Sequence, residues 1–208
     1  MKKIIGLSVA ALLIIGVIGG ATLAYFSDTE SSTNNTLTAG VLDLNIDGGN
    51  VAVTTLTVAA AEPGGSGSGS STLTNVGSMT GELDISTSPV TNTGAVSGTS
   101  EYADDSGDLG AVAQIAMYLD IDQSGTVTAG DIGLQSDGTT YDPTGGLAYD
   151  VVDNYASEVW NEVITSMVSS ASDDIVILWQ VPAGAGNSIQ GDSVSFDITF
   201  TLEQADVD

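Results

Sequence analysis

Beyond residue 40, apolar and polar positions of this chain mostly alternate in short runs separated by turn-rich segments. The clearest run is Ser193 to Leu202, where Val194, Phe196, Ile198, Phe200 and Leu202 interleave with Ser195, Asp197, Thr199 and Thr201. A period of two places one set on a buried face and the other on a solvated face, so it predicts a half-buried strand. The same reading gives strands at Val41–Ile46, Val51–Ala59, Thr72–Val76, Thr80–Ser86, Ala111–Leu119, Leu147–Val152 and Ile175–Val181. Leu42, Leu44 and Ile46 share one face of the first, and Ile115, Met117 and Leu119 one face of the fifth. Glu62–Ser70, rich in Gly and Ser, predicts a flexible surface loop, and Thr91–Gly110 a long polar one. One segment breaks the pattern: Tyr155, Val159, Val163 and Met167 fall four apart with Trp160 and Ile164 beside them, which predicts a helix capped by Asp153 or Asn154. Many short strands and one short helix, with no internal repeat, predict an all-β, jelly-roll-like antiparallel β-sandwich.

The N-terminal pattern is different. Lys2 and Lys3 precede a nearly unbroken apolar run, Ile4 to Leu23, which ends among the small residues Gly19, Gly20, Ala21 and Ala24. Positive start, apolar middle and small-residue end make a secretory signal over residues 1–24, cut within Ala24, Tyr25 and Phe26. Two other fates stay open. The run is long enough to span a bilayer as an anchor. A type IV pilin signal would be cut near Gly6, but the usual basic-Gly junction and early Glu are missing. The expected organisation is a signal over 1–24, a short segment over 25–40 and one domain over 41–208.

Cleavage changes the charge picture. Lys2 and Lys3 are the only basic side chains, histidine is absent, and all 27 acidic residues follow the signal. The mature chain then carries a formal side-chain charge of −27 and no side-chain cation. Nucleic acid is excluded as a partner, because no cation displaces phosphate counterions. Anionic membrane surfaces are excluded likewise, so membrane contact is limited to the signal segment before cleavage. With no cysteine there is no disulfide and no lipoprotein anchor. Without lysine there is no lysine isopeptide cross-link. A Ser–His or Cys–His nucleophile needs a histidine, and a Ser–Lys dyad fails after cleavage. Paired carboxylates of the glycosidase kind are chemically open, but nothing marks a pair among so many acids. The expectation is a non-enzymatic, exported, acidic protein.

The strongest local motif is Asp120 to Asp131. Oxygen-bearing side chains stand at loop positions 1, 3, 5 and 9 (Asp120, Asp122, Ser124, Thr128), glycine at 6 (Gly125) and an acid at 12 (Asp131). That is the spacing of an EF-hand-type calcium loop, in which the carbonyl of Thr126 is a further ligand. Asp131 replaces the usual glutamate, which lowers the expected affinity. The flanks alternate as strands, so a helix-opening sensor is not expected. The same residues would also serve as an acidic surface turn. Asp104, Asp105 and Asp108, and Asp137 with Asp142, form lesser acidic clusters. Asn34-Asn35-Thr36 is a glycosylation acceptor pattern of the kind that recurs by chance in a Thr-rich chain.

Three segments together resemble the TasA/camelysin family of secreted fibre proteins, which includes archaeal bundling-pilus subunits. The first is Ala21–Glu30 with Leu37–Leu44, similar to a SipW-type signal-peptidase junction and the start of the mature chain behind it. The second is Pro63-Gly64 with Leu73–Ser78, and the third is Gly191–Gln204. The resemblance implies a jelly-roll-like sandwich that polymerises by donor-strand complementation. In that arrangement the segment behind the cut fills a missing-strand groove in the next copy. Here the donor would comprise Phe26, Ser27, Asp28, Thr29 and Glu30 through Thr36, Leu37 and Thr38. The expected partner is other copies of the chain, in a filament outside the cell that serves a biofilm matrix or cell bundling. A plain N-terminal tail is the simpler reading of the segment. The alternative function is a monomeric calcium-binding adhesion module. Camelysin is described as a metalloprotease, yet a zincin needs imidazole ligands and this chain has none.

Overall fold

The computed structural model describes residues 40–49, 53–59, 62–94, 107–189 and 191–204. The expected signal, its expected cleavage residues and the expected donor segment, all within residues 1–39, lie outside this set. Among the described residues the strands form two antiparallel sheets. The first orders β1 (Leu44–Ile46), β3 (Ser66–Asn75), β11 (Ser172–Gln180), β6 (Gln114–Asp120), β7 (Ile132–Leu134) and β8 (Thr140–Tyr141), with β9 (Asp150–Val151) also on β6. The second orders β10 (Val159–Met167), β4 (Gly81–Thr87), β12 (Ser193–Gln204) and β2 (Val53–Ala59), with β5 (Thr91–Thr93) on β12. This is the expected all-β sandwich.

The core follows from the alternation. Val194, Phe196, Ile198 and Phe200 of β12 are buried, as are Ile175 and Ile177 of β11 and Ile115, Met117 and Leu119 of β6. Burying these side chains is the main favourable term for such a domain, at roughly 25 cal/mol per Å² of apolar surface. The β6 strand is buried on both faces, since Ala116 and Tyr118 are also covered. It therefore reads as a nearly continuous apolar run rather than a clean alternation.

The expected helix over residues 155–167 is not there. Val159–Met167 is strand β10, paired with Ile85 and Leu83 of β4 at Trp160 and Ile164. Register shifts lie on both sides of Ile164, and Glu162 has a positive φ of 52°. Bulges insert extra residues into a strand and break its period of two. The buried side chains become Trp160, Val163 and Met167, a helix-like spacing, while Val159 is half exposed. Val, Trp, Ile and Thr are strand formers, and here that preference outranks the apparent period. The one α-helix among the described residues is a single turn, α1 (Leu109–Val112), at the end of the expected 91–110 loop. That loop also contributes β5. Asp153 and Asn154 instead bond to Asn92 and Asp150.

The expected loop at 62–70 is also corrected. Ser66 to Ser70 form the first half of β3, in ladder with Gln180 to Val176 of β11. A ladder is made by backbone groups and needs no side chain. Glycine is required at one point: a Cβ on Gly67 would sit 2.7 Å from the Trp179 indole.

Asn75 fixes the crossing from the first sheet to the second. Its side chain is fully buried. Its Nδ2 donates to the carbonyls of Met79 and Met167, both at 2.8 Å, and its Oδ1 accepts from Gly77 N at 3.0 Å. A Cβ on Gly77 would collide with Val41 O and Asp43 N, so the Asn-x-Gly pattern has a steric cause. Asn75→Ala should cost about 2 kcal/mol, because buried groups lose their partners. Asn75→Asp should cost more, since it faces two carbonyl oxygens with a carboxylate. Urea midpoints of the two variants test this order.

Candidate metal centre

The loop 121–131 connects β6 to β7 as a hairpin, so Asp120 closes one strand and Asp131 precedes the next. The ladder between Leu119 and Ile132 holds both ends together. Gln123, Gly125 and Gly130 have positive φ, at 53°, 73° and 107°. Gly125, at position 6, makes the turn that folds the loop back over Asp120.

One carboxylate oxygen from each of Asp120, Asp122 and Asp131 lies within 4.8 Å of the other two. Oxygens bound to one calcium at 2.3–2.6 Å lie no more than about 5 Å apart, so this spacing fits a single hard cation. Asp120 and Asp131 are buried, at 0 % and 5 % exposure, while Asp122 faces solvent. Asp120 accepts from Ser124 N and Gly125 N at 3.1 and 2.7 Å. Asp131 accepts from Ile121 N at 3.0 Å and from Thr128 N at 2.7 Å. Asp122 accepts from Ser124 N and from Thr128 Oγ1, both at 3.1 Å. The Ser124 hydroxyl donates to the Thr126 carbonyl at 2.8 Å. Hydrogen bonds thus join all six residues that the spacing singled out.

Electrostatics point the same way. Burial raises the Asp120 pKa, and nearby Asp122 and Asp131 add to this against the lowering backbone bonds from Gly125 and Ser124. Hydrogen bonds, first from Ser124, lower that of exposed Asp122. Burial, then the charges of Asp120 and Asp131, raises Tyr118. A cation between the carboxylates would relieve this repulsion.

Asp174 stands beside the loop without belonging to the gathered carboxylates. It lies opposite Asp120 in the β6–β11 ladder, where its Oδ1 accepts from Thr72 Oγ1 at 2.6 Å and from Gln123 Nε2 at 3.1 Å. Nothing in a single sequence tells which strand β6 pairs with. The lesser acidic clusters do not gather. Asp137 and Asp142 each accept from their own turn, through Thr139 and Thr144. The backbone N–H of Asp108 donates to Asp192, and Asp104 and Asp105 lie outside the described residues.

A β-sandwich with an all-oxygen acidic loop defines the molecule's class. Over residues 1–208 the chain matches the family described as camelysin metallo-endopeptidase, and it belongs to that family. None of the curated proteins matches it.

Proposed function

We propose that the chain is a secreted structural subunit that polymerises into extracellular fibres or bundling pili by donor-strand complementation. The observation that carries this reading is an open sheet edge. Strand β3 pairs with β11 along Ser66–Thr74, but with β1 only at Leu73–Asn75. Among the described residues, Ser66–Ser71 has no neighbour on its other side. Natural edges are usually blocked by charges, prolines or bulges. This one, Ser-Gly-Ser-Gly-Ser-Ser, carries no charge, no proline and no large side chain. Among the described residues this edge itself sets no charge or bulky side chain against a strand from another copy, and backbone pairing is a recurrent way to bind an extended segment. Phe26–Thr38 suits the edge, with charge only at Asp28 and Glu30.

The metal-loop residues fit a structural calcium ion, held by Asp120, Asp122 and Asp131 with oxygens of Ser124, Thr126 and Thr128. Bound calcium would fix the β6–β7 hairpin. The family's description names a metallo-endopeptidase. The donor set here argues for a non-enzymatic member: the chain contains no histidine, and carboxylate, hydroxyl and carbonyl oxygens suit calcium rather than catalytic zinc. Among the described residues no helix is long and apolar enough to cross a membrane, and the Ile4–Leu23 run lies outside them. Electron microscopy of the cell surface, with mass spectrometry of the purified material, tests the reading. Extended fibres made of this chain support it, and a protein that stays monomeric across salt and calcium conditions contradicts it.

A further inference from the structure

Large apolar side chains are rarely exposed in this domain, and most of those that are gather at one turn. Among the described residues four are exposed, and three of them, Val41, Val76 and Val168, stand on segments tied to the turn Asn75–Met79. The Val41 carbonyl accepts from Ser78 N at 2.8 Å and from Met79 N at 3.2 Å. Val76 N donates to the Asp43 carbonyl at 2.8 Å. On either side of Val168, the Met167 carbonyl accepts from Asn75 Nδ2 and the Ser169 hydroxyl donates to the Gly77 carbonyl at 2.6 Å. Single exposed valines are ordinary, but three held at one turn form an apolar patch that a partner surface can bury. Charge is sparse there too. Asp43 is the only acid in residues 40–43, 75–79 and 167–170 of a chain that has 27 acids.

We propose that this valine end packs head to tail against a second copy of this chain, at the end of the sandwich where β3 begins. The inference rests on the donor-strand reading and names a second contact between neighbouring subunits. Chain length selects the partner. The chain enters the domain at the valine end, where Gly40 is exposed and a Cβ on it would collide with the Met79 side chain. The donor Phe26–Thr38 ends three residues before Val41, a span of at most about 11 Å. A subunit that gives this strand therefore brings its valine end close to the place where the donor ends on the neighbour.

Strand direction selects the surface. Every strand pairing in the described fold is antiparallel. A donor laid antiparallel to β3 runs from Ser71 toward Ser66, since from Thr72 onward that edge is taken by Asp47 and β1. Thr38 then leaves at the Ser66 end. There Pro63, Gly64, Pro182, Ala183 and Gly184 are exposed, and Gly64 N donates to the Val181 carbonyl at 2.9 Å, which holds the two segments together. Glu62 is the only acid in residues 62–66 and 181–186, so the two ends meet with less repulsion than the rest of the surface would. The ends lie on opposite sides of one subunit, separated by the length of β3, roughly 30 Å. A contact between two different surfaces at opposite ends extends into an open filament instead of closing into a dimer.

The chain has no cysteine, so introduced thiols report only on their own positions. Copies carrying Val76→Cys are co-assembled with copies carrying Ala183→Cys and treated with a short bis-maleimide. Covalent dimers joining position 76 of one copy to position 183 of the other are expected. Copies carrying Val159→Cys, at the fourth exposed valine, should give no such dimers with Ala183→Cys. Filaments without the 76–183 link, or with 76–76 links in its place, overturn the proposal. Val76→Ser with Val168→Ser should raise the critical concentration for assembly about tenfold, because less apolar surface is buried at the contact. The monomer should melt like the parent, since both side chains are exposed. Assembly equal to the parent also overturns the proposal. A chain lacking residues 26–38 separates the two claims. If that chain polymerises like the parent, the donor reading and this inference fall together. If that chain fails to polymerise but the double serine variant assembles normally, the valine contact alone falls.

Discussion

Calcium should stabilise the folded chain by about 2.7 kcal/mol at 100 times its Kd and about 4.1 kcal/mol at 1,000 times, and a chain carrying Asp120→Ala with Asp122→Ala should not respond. The magnitude follows from mass action for an ion that binds the native state alone. For a domain of this size it corresponds to a rise in melting temperature of roughly 5–15 °C. The two substitutions remove one buried and one exposed carboxylate from a group whose oxygens lie within 4.8 Å of one another. In the ion-free parent the carboxylates repel, so the double variant without calcium should lose less stability than its broken hydrogen bonds alone imply. The response should also fade in acid, because the raised pKa of Asp120 lets protons compete with the ion at higher pH than for an ordinary aspartate. Asp137→Ala serves as control, since that residue bonds only within its own turn. Melts with calcium and with chelator decide the matter. An equal response from parent and double variant would place the ion elsewhere.

Strands with a solvent face were legible because a period of two needs only local information. β12 and β11 came out close to their expected limits, and so did the buried faces of Ile115, Met117 and Leu119. The metal loop was legible for a related reason: its ligands lie within twelve consecutive residues, and glycine marks the turn. What failed depended on partners distant in sequence. The bulges of β10 are set against β4, more than 70 residues away, and they gave Trp160, Val163 and Met167 a helical spacing inside a strand. The Ser-Gly half of β3 looks like a linker, because its strand character comes from β11, about 100 residues on, and from the Trp179 indole over Gly67. The place of Asp174 beside Asp120 was not legible for the same reason, since only the ladder shows what stands opposite it.

Deleting Phe26 to Thr38 should leave a folded sandwich that cannot polymerise. The core of the described residues draws on strands from β1 onward, so the domain keeps its packing. What the variant loses is the strand it would donate, while its own Ser66–Ser71 edge keeps no second strand partner among the described residues. The effect should be close to all-or-none, because a filament needs every subunit both to give and to accept. A synthetic peptide of the deleted segment should bind the truncated chain and occupy that edge, placing alternate side chains toward the sandwich. Salt or calcium should speed assembly of the parent, since screening weakens the repulsion among copies of a chain whose formal net charge is −25. Neither should rescue the truncated chain. The most direct measurement is electron microscopy of parent and truncated proteins incubated side by side at equal concentration, salt and calcium. The account predicts long fibres from the parent and only folded monomers from the truncated chain, whereas fibres of the same diameter and repeat from both would contradict it.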